Sequence, residues 1–182
     1  MVVLILAGAA ALVVIYGIMV YNELVKESIL VKEGWSGIGT FLQQRLDLIP
    51  NLVETVKGYA GHENKTLTDV TKARNESLSA LTPEAQMEAA RHMNAALLNF
   101  KSLTEQYPDL KADSSFLQLQ QQLADMEEKI NQSRRYYNGT VREFNQSIAV
   151  FPKNLIAGMF GFKEGTFFAE DPASQSAPRV SF

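Results

Sequence analysis

Residues 2–20 carry no charged or amide side chain and no serine or threonine. A run of that kind has few places to go. At about 1.5 Å of rise per residue, residues 2–21 make roughly 30 Å of helix, the thickness of a bilayer's hydrocarbon core. A signal peptide is the first rival, but it places basic residues ahead of a shorter apolar core. Here the first Lys or Arg is Lys26, beyond the run. Cleavage after the small residues at 8–11 would also leave residues 12–20 as a hydrophobic N-terminus. A helix buried against protein is the second rival. The expectation is an uncleaved transmembrane helix over residues 1–21. Lys26, Lys32 and Arg45 follow it, so the positive-inside rule predicts an outside N-terminus and a cytoplasmic soluble part.

Every charged side chain lies beyond residue 22, and the 17 basic and 20 acidic residues give a formal charge of -3. That mixture lacks the concentrated positive field that phosphate-backbone binding needs, so no nucleic-acid partner is predicted. The chain has no cysteine, which excludes disulfides, thiolate metal sites and thiol nucleophiles. Its 182 residues suffice for one domain with a real core.

Beyond the anchor a helical period continues. Leu24, Val31, Ile38, Arg45, Leu52 and Tyr59 alternate with Ser28, Trp35, Leu42, Ile49 and Val56 in steps of four and three, a heptad seam filled mostly by apolar side chains. Gly34, Gly37 and Gly39 weaken it by about 1 kcal/mol each and suggest a close helix crossing. Pro50 cannot donate to Leu46, so a kink is expected there. Gly58 and Gly61 mark a second bend. A thinner stripe of Leu67, Val70, Ala73, Ser77 and Leu81 leads to Thr82-Pro83, a cap and first-turn proline for a helix over residues 83–105 that buries Met93, Leu97, Phe100 and Leu103. Tyr107-Pro108-Asp109 should end it. The last helix is the clearest. Phe116, Leu119, Leu123, Met126, Ile130, Tyr137, Phe144 and Ile148 keep its seam, with Ser114 as the expected cap and Phe151-Pro152 as the stop.

These patterns predict an all-α fold, an N-terminal transmembrane helix followed by an elongated antiparallel helical bundle over residues 22–151. If the chain turns at residues 58–61, the helix before it and the last helix are each roughly 50 Å long and could pair antiparallel, with the shorter helices as a cap. Without that turn, one rod of roughly 85 Å would leave seam for another subunit. In residues 152–182, Phe160, Phe162, Phe167 and Phe168 alternate with Gly158, Gly161 and Gly165, too broken for a long helix. These aromatics either meet the membrane interface or pack on the bundle, and residues 173–182 are expected to be disordered.

Chemistry is harder to find. His62-Glu63 begins a zinc-peptidase pattern, but Thr66 stands where the second histidine belongs, and His92 lies on another helix. No metal, cofactor or catalytic residue is predicted. Arg45, Asp47, Asn51 and Glu63 are polar residues on or beside an apolar seam; a buried charge must be paired, so Arg45 is expected to meet a carboxylate from a neighbouring helix. Arg134, Arg135, Tyr136 and Tyr137 form the densest basic and aromatic cluster. Beside Glu127, Glu128 and Glu143 it reads as surface ion pairs with tyrosine packing.

The run Tyr21-Asn22-Glu23-Leu24-Val25, then Trp35, then Arg45-Leu46-Asp47-Leu48-Ile49-Pro50-Asn51-Leu52-Val53-Glu54 with His62-Glu63 and Ala73-Arg74, is followed in order by Tyr107-Pro108-Asp109-Leu110-Lys111-Ala112, Phe116-Leu117-Gln118-Leu119, Arg134-Arg135-Tyr136-Tyr137-Asn138, Phe144-Asn145, Phe151-Pro152 and Gly161-Phe162. In that order and spacing the chain resembles the LemA family of bacterial membrane proteins. Gly39 and Gln43-Gln44 depart from the pattern, where Asp and a basic residue are commoner. The resemblance implies a single-pass, cytoplasm-facing helical bundle without enzyme activity or cofactor, and relatives have been associated with membrane-compartment formation. The expected role is a non-enzymatic, membrane-anchored scaffold or protein-interaction module. It would meet the bilayer through residues 2–21, meet protein partners or further copies of itself through its helices, and have no small-molecule substrate. Alternatives are a regulator or accessory subunit of a membrane enzyme, or a membrane-remodelling protein. The residues expected to matter are Arg45, Asp47, Pro50 and Asn51, and Arg134, Tyr137 and Asn138.

Overall fold

A computed structural model describes residues 1–60 and 65–168. Among them are six helices and no strand: α1 (Val2–Ala60), α2 (Lys65–Ser79), α3 (Pro83–Thr104), α4 (Pro108–Ala112), α5 (Ser114–Ala149) and α6 (Lys153–Phe160). The fold is all-α, as expected. The bend expected at Gly61 and the His62-Glu63 pair lie outside the described residues, as do residues 173–182.

The first helix continues through its glycines and through Pro50. Its most apolar 18-residue stretch, near the N-terminus, has a mean hydropathy of 2.7, and none of those residues is buried in the protein. A side chain rejected by water and not covered by protein belongs in lipid, so this is the membrane-spanning segment, and the buried-core alternative falls. Further along, Leu24, Ile38, Arg45, Ile49, Leu52 and Val56 are buried, and Ser28, Val31, Trp35 and Leu42 are half-buried. The heptad seam therefore faces protein except at Tyr59, which is exposed.

Described residues fall into two compact units. One comprises Met1–Ile38 with Ser133–Phe168. Within it α1 and the C-terminal half of α5 run antiparallel, since Gly34 lies against Tyr137 while Ser147 donates to Glu27. A Cβ at Gly34 would stand 3.2 Å from the Tyr137 Cα, so the close crossing is here; Gly37 and Gly39 have open space. The other unit is Gly39–Gln132. Its core joins Leu46, Ile49, Leu52 and Val56 of α1 to Leu67 and Val70 of α2, Met93 and Phe100 of α3, Leu110 of α4 and Phe116 of α5. Arg74 of α2 reaches back to the Leu46 carbonyl, so α2 runs back along α1.

Helix starts follow local chemistry. Thr82 accepts from the Ala85 N–H at 3.2 Å with Pro83 behind it, as expected. Pro108 was expected only to end α3; it also opens α4, because a ring that fixes φ and lacks N–H suits a first turn. Asp113, not Ser114, caps α5: its Oδ1 accepts from the Phe116 N–H at 2.9 Å, and a carboxylate answers the helix N-terminus with full charge. Helix α6 was not anticipated. It ends at Gly161, whose φ of 73° lets the Phe162 N–H return to Ala157 at 3.0 Å.

Candidate functional site

Arg45 is the deepest charge described in the Gly39–Gln132 unit, with a side chain 2% exposed. Its Nη1 donates to Asn94 Oδ1 at 2.7 Å and to Glu127 Oε2 at 3.1 Å, so one guanidinium ties α1 to α3 and α5. This is the carboxylate pairing the seam position required. Glu127 remains 41% exposed and keeps part of its hydration, which lowers the cost of burying the pair. An arginine does not give up its proton in this setting, so the centre positions helices rather than moving protons. Beside it lies a cavity of about 70 Å³ lined by Gly39, Leu42, Gln43, Arg45, Leu46, Ser77, Gln86 and Ala90, room for ordered water rather than a metabolite.

One turn on, Pro50 withholds the N–H that would bond to the Leu46 carbonyl. That carbonyl instead accepts from Arg74 Nε of α2 at 3.1 Å. The proline creates an acceptor and α2 supplies its donor, so a defect in α1 becomes a joint between helices.

The Met1–Ile38 and Ser133–Phe168 unit holds a second polar arrangement. Asn145 donates to the Gly165 carbonyl at 3.0 Å and accepts from the Gly165 N–H at 2.8 Å. Asn138 does the same with Phe168, at 3.0 and 2.8 Å. Between them the Tyr137 hydroxyl donates to the Thr166 carbonyl at 2.8 Å. The spacing is a match of two rises. Seven helical residues advance about 10.5 Å and three extended residues about 10 Å, so two asparagines two turns apart grip residues three apart in a strap running antiparallel to α5. Phe168 is thereby buried under the Arg134 guanidinium, 4.5 Å from its ring centre, with Trp35 at 6.0 Å. Trp35 also meets Tyr137 edge-on at 5.4 Å.

The residues singled out in the sequence thus separate. Arg45, Arg134, Tyr137 and Asn138 sit in these two arrangements. Asp47, Pro50 and Asn51 are exposed, Asp47 accepting from Gln43 at 2.8 Å. Arg134 stacks on an aromatic ring instead of serving only as the surface ion-pairing residue expected. His92 is exposed and contacts Glu76 and Glu88, 3.1 and 3.2 Å away. Among the described residues, no group of three or more His, Asp or Glu is placed to hold a metal ion. Asn94, Glu127, Arg74 and Asn145 went unnoticed as functional positions. Asn138 and Asn145, seven apart on one helix face and both poor helix formers, were the available signal for the strap.

Two further pairings set local electrostatics. Lys153 Nζ lies 2.8 Å from Glu23 Oε1, and that hydrogen bond holds the ammonium above its ordinary range. The Tyr59 hydroxyl donates to Asp113 Oδ2 at 3.0 Å, which raises the phenol. Asp113 is lowered, first by the Phe116 N–H and then by Tyr59.

A sequence model described as the LemA family matches residues 34–182. Protein LemA of Metamycoplasma hominis is 29% identical over 143 residues, covering 75% of this chain and 63% of that protein. Magnetosome protein MamQ 2 of Paramagnetospirillum magneticum is 25% identical over 185 residues, covering 87% and 68%. Magnetosome protein MamQ of Magnetospirillum gryphiswaldense is 23% identical over 167 residues, covering 78% and 61%. The chain therefore spans between three fifths and seven tenths of the length of these relatives.

Proposed function

The chain belongs to the LemA family, and from that premise we propose that it is a membrane-anchored, non-enzymatic scaffold that binds protein partners, further copies of itself included. One observation carries the reading. Within one unit, the part of α1 up to Ile38 provides both the span and a seam on which α5 packs, so a helical surface is tied directly to a bilayer. The internal joints support it, since Arg45, Arg74, Asn138 and Asn145 all join helix to helix or helix to strap. Three relatives are named as magnetosome proteins, not for a reaction. In this reading residues 1–21 are the anchor, 22–151 the bundle and 152–182 the tail, with the N-terminus outside and the bundle in the cytoplasm, the orientation that the positive-inside rule favours with Lys26, Lys32 and Arg45 following the span.

Photo-crosslinking side chains at exposed Leu98 and Leu117 in native membranes should recover discrete protein adducts. A detergent-solubilised monomer by light scattering, with no adduct from either position, would sink the scaffold. Because the chain has no cysteine, Leu98→Cys alone reports topology. It should react with an impermeant maleimide only after cells are opened, and reaction in intact cells would reverse the orientation.

A further inference from the structure

Helix α6 buries one side against the end of the membrane span and leaves the other uncovered. Ile156 rests on Gly17, its Cδ1 3.7 Å from where a Cβ would stand. Ala157 is buried with Val20 and Leu24, and Ile156 and Phe162 pack around them. Tyr21 meets the rings of Phe160 and Phe162 at 4.6 and 5.9 Å, and Lys153 ties the helix to Glu23. These contacts put α6 at residues 17–24 of α1, where the apolar run gives way to charge. That level is the headgroup boundary of whatever bilayer α1 crosses, and Tyr16 and Tyr21 are suited to it.

The uncovered side is apolar. On α6, Leu155 and Met159 stand one turn apart, 58% and 78% exposed, with Phe160 beside them at 59%; Phe151, in the turn just before the helix, is 79% exposed. A row of four large apolar side chains is costly in water. At this level of α1 it has lipid next to it. Lys153 is turned onto Glu23, leaving the row itself uncharged.

We propose that α6 is a second membrane contact: a short helix lying in the headgroup and acyl boundary of the bilayer that α1 spans, with Phe151, Leu155, Met159 and Phe160 in lipid. The inference rests on the anchor and is independent of the scaffold reading. An interfacial helix buries its apolar side about 5–10 Å into that boundary. Attached to α1 by Gly17 and Tyr21, α6 fixes the tilt and rotation of the span.

The test uses the full-length chain in phosphatidylcholine vesicles with doxyl-labelled acyl chains. Separate Leu155→Cys and Met159→Cys variants carry an environment-sensitive fluorophore, with Leu98→Cys as the exposed control. The expected result is a blue-shifted emission at 155 and 159, quenched most by doxyl groups placed high on the chain, and an unquenched label at 98. The second variant Phe151→Glu should return the label at 155 to water while circular dichroism is unchanged. Labels at 155 and 159 that stay as wet as at 98 would overturn the proposal. So would labels that are dry yet unquenched by the doxyl groups.

Discussion

In the Gly39–Gln132 unit the helices meet through apolar side chains, mostly aliphatic, from five of them, with one arginine buried among them. In the Met1–Ile38 and Ser133–Phe168 unit, fewer aliphatic side chains are buried. Aromatic rings and paired bonds from asparagines to a backbone strap hold it instead. The first kind of packing is diffuse, because any side chain of about the right volume contributes. The second is directed, because a bond lost at one atom leaves a polar group without its partner. Trp35, the chain's one tryptophan, lies in the directed unit, so its fluorescence follows that unit while circular dichroism follows all the helices.

The largest expected effect breaks the diffuse unit at its most deeply buried directed point. Arg45→Ala should lower stability by about 2–4 kcal/mol, combining a cavity with the lost partner of Asn94. Arg45→Met fills the space and should cost about 1 kcal/mol or less. Denaturant unfolding in detergent, followed by circular dichroism, separates them. Equal losses would mean that charge, and not volume, governs this unit.

Next come the strap bonds. Asn138→Ala and Asn145→Ala should each cost about 1–2 kcal/mol locally, from two bonds lost. Amide exchange at Phe168 should speed up for the first and at Gly165 for the second. Only Asn138→Ala should also red-shift Trp35. If the main helical melting transition falls as far as it does for Arg45→Ala, the contrast between the units is wrong.

A smaller effect tests the proline joint. Arg74→Met should cost about 1 kcal/mol with Pro50 present and less in Pro50→Ala, where the backbone N–H restores a donor to Leu46. A coupling of about 0.5–1 kcal/mol in the double-mutant cycle is expected, and strict additivity would remove the joint.

The smallest concerns pH. Asp113 is held below its ordinary 3.8 by the Phe116 N–H and by Tyr59, so its contribution is complete above 3.8 and is lost as pH falls through the lowered value. Tyr59 is held above its ordinary 10.0, so its contribution is complete below 10.0 and lost as pH rises through the raised value. Asp113→Asn should flatten the acid limb of stability against pH and weaken the alkaline limb. An acid limb identical to that of the parent chain would refute the assignment.

Much of this architecture was legible before any coordinates. The apolar run predicts the span, the steps of four and three predict which residues of α1 and α5 face inward, and Thr82-Pro83 predicts a helix start. Each depends on neighbours within a few turns, and local periodicity records such neighbours directly. The asparagines that hold the strap, the arginine that answers Pro50, the choice of Asn94 and Glu127 for Arg45, and the seating of α6 on Gly17 join positions from 20 to 139 residues apart. A polar group in a sequence states that a partner is needed, without saying which, because any donor of the right reach would satisfy it. Only the crossing of helices in space, set by side-chain volume at places such as Gly34 against Tyr137, selects the one that does.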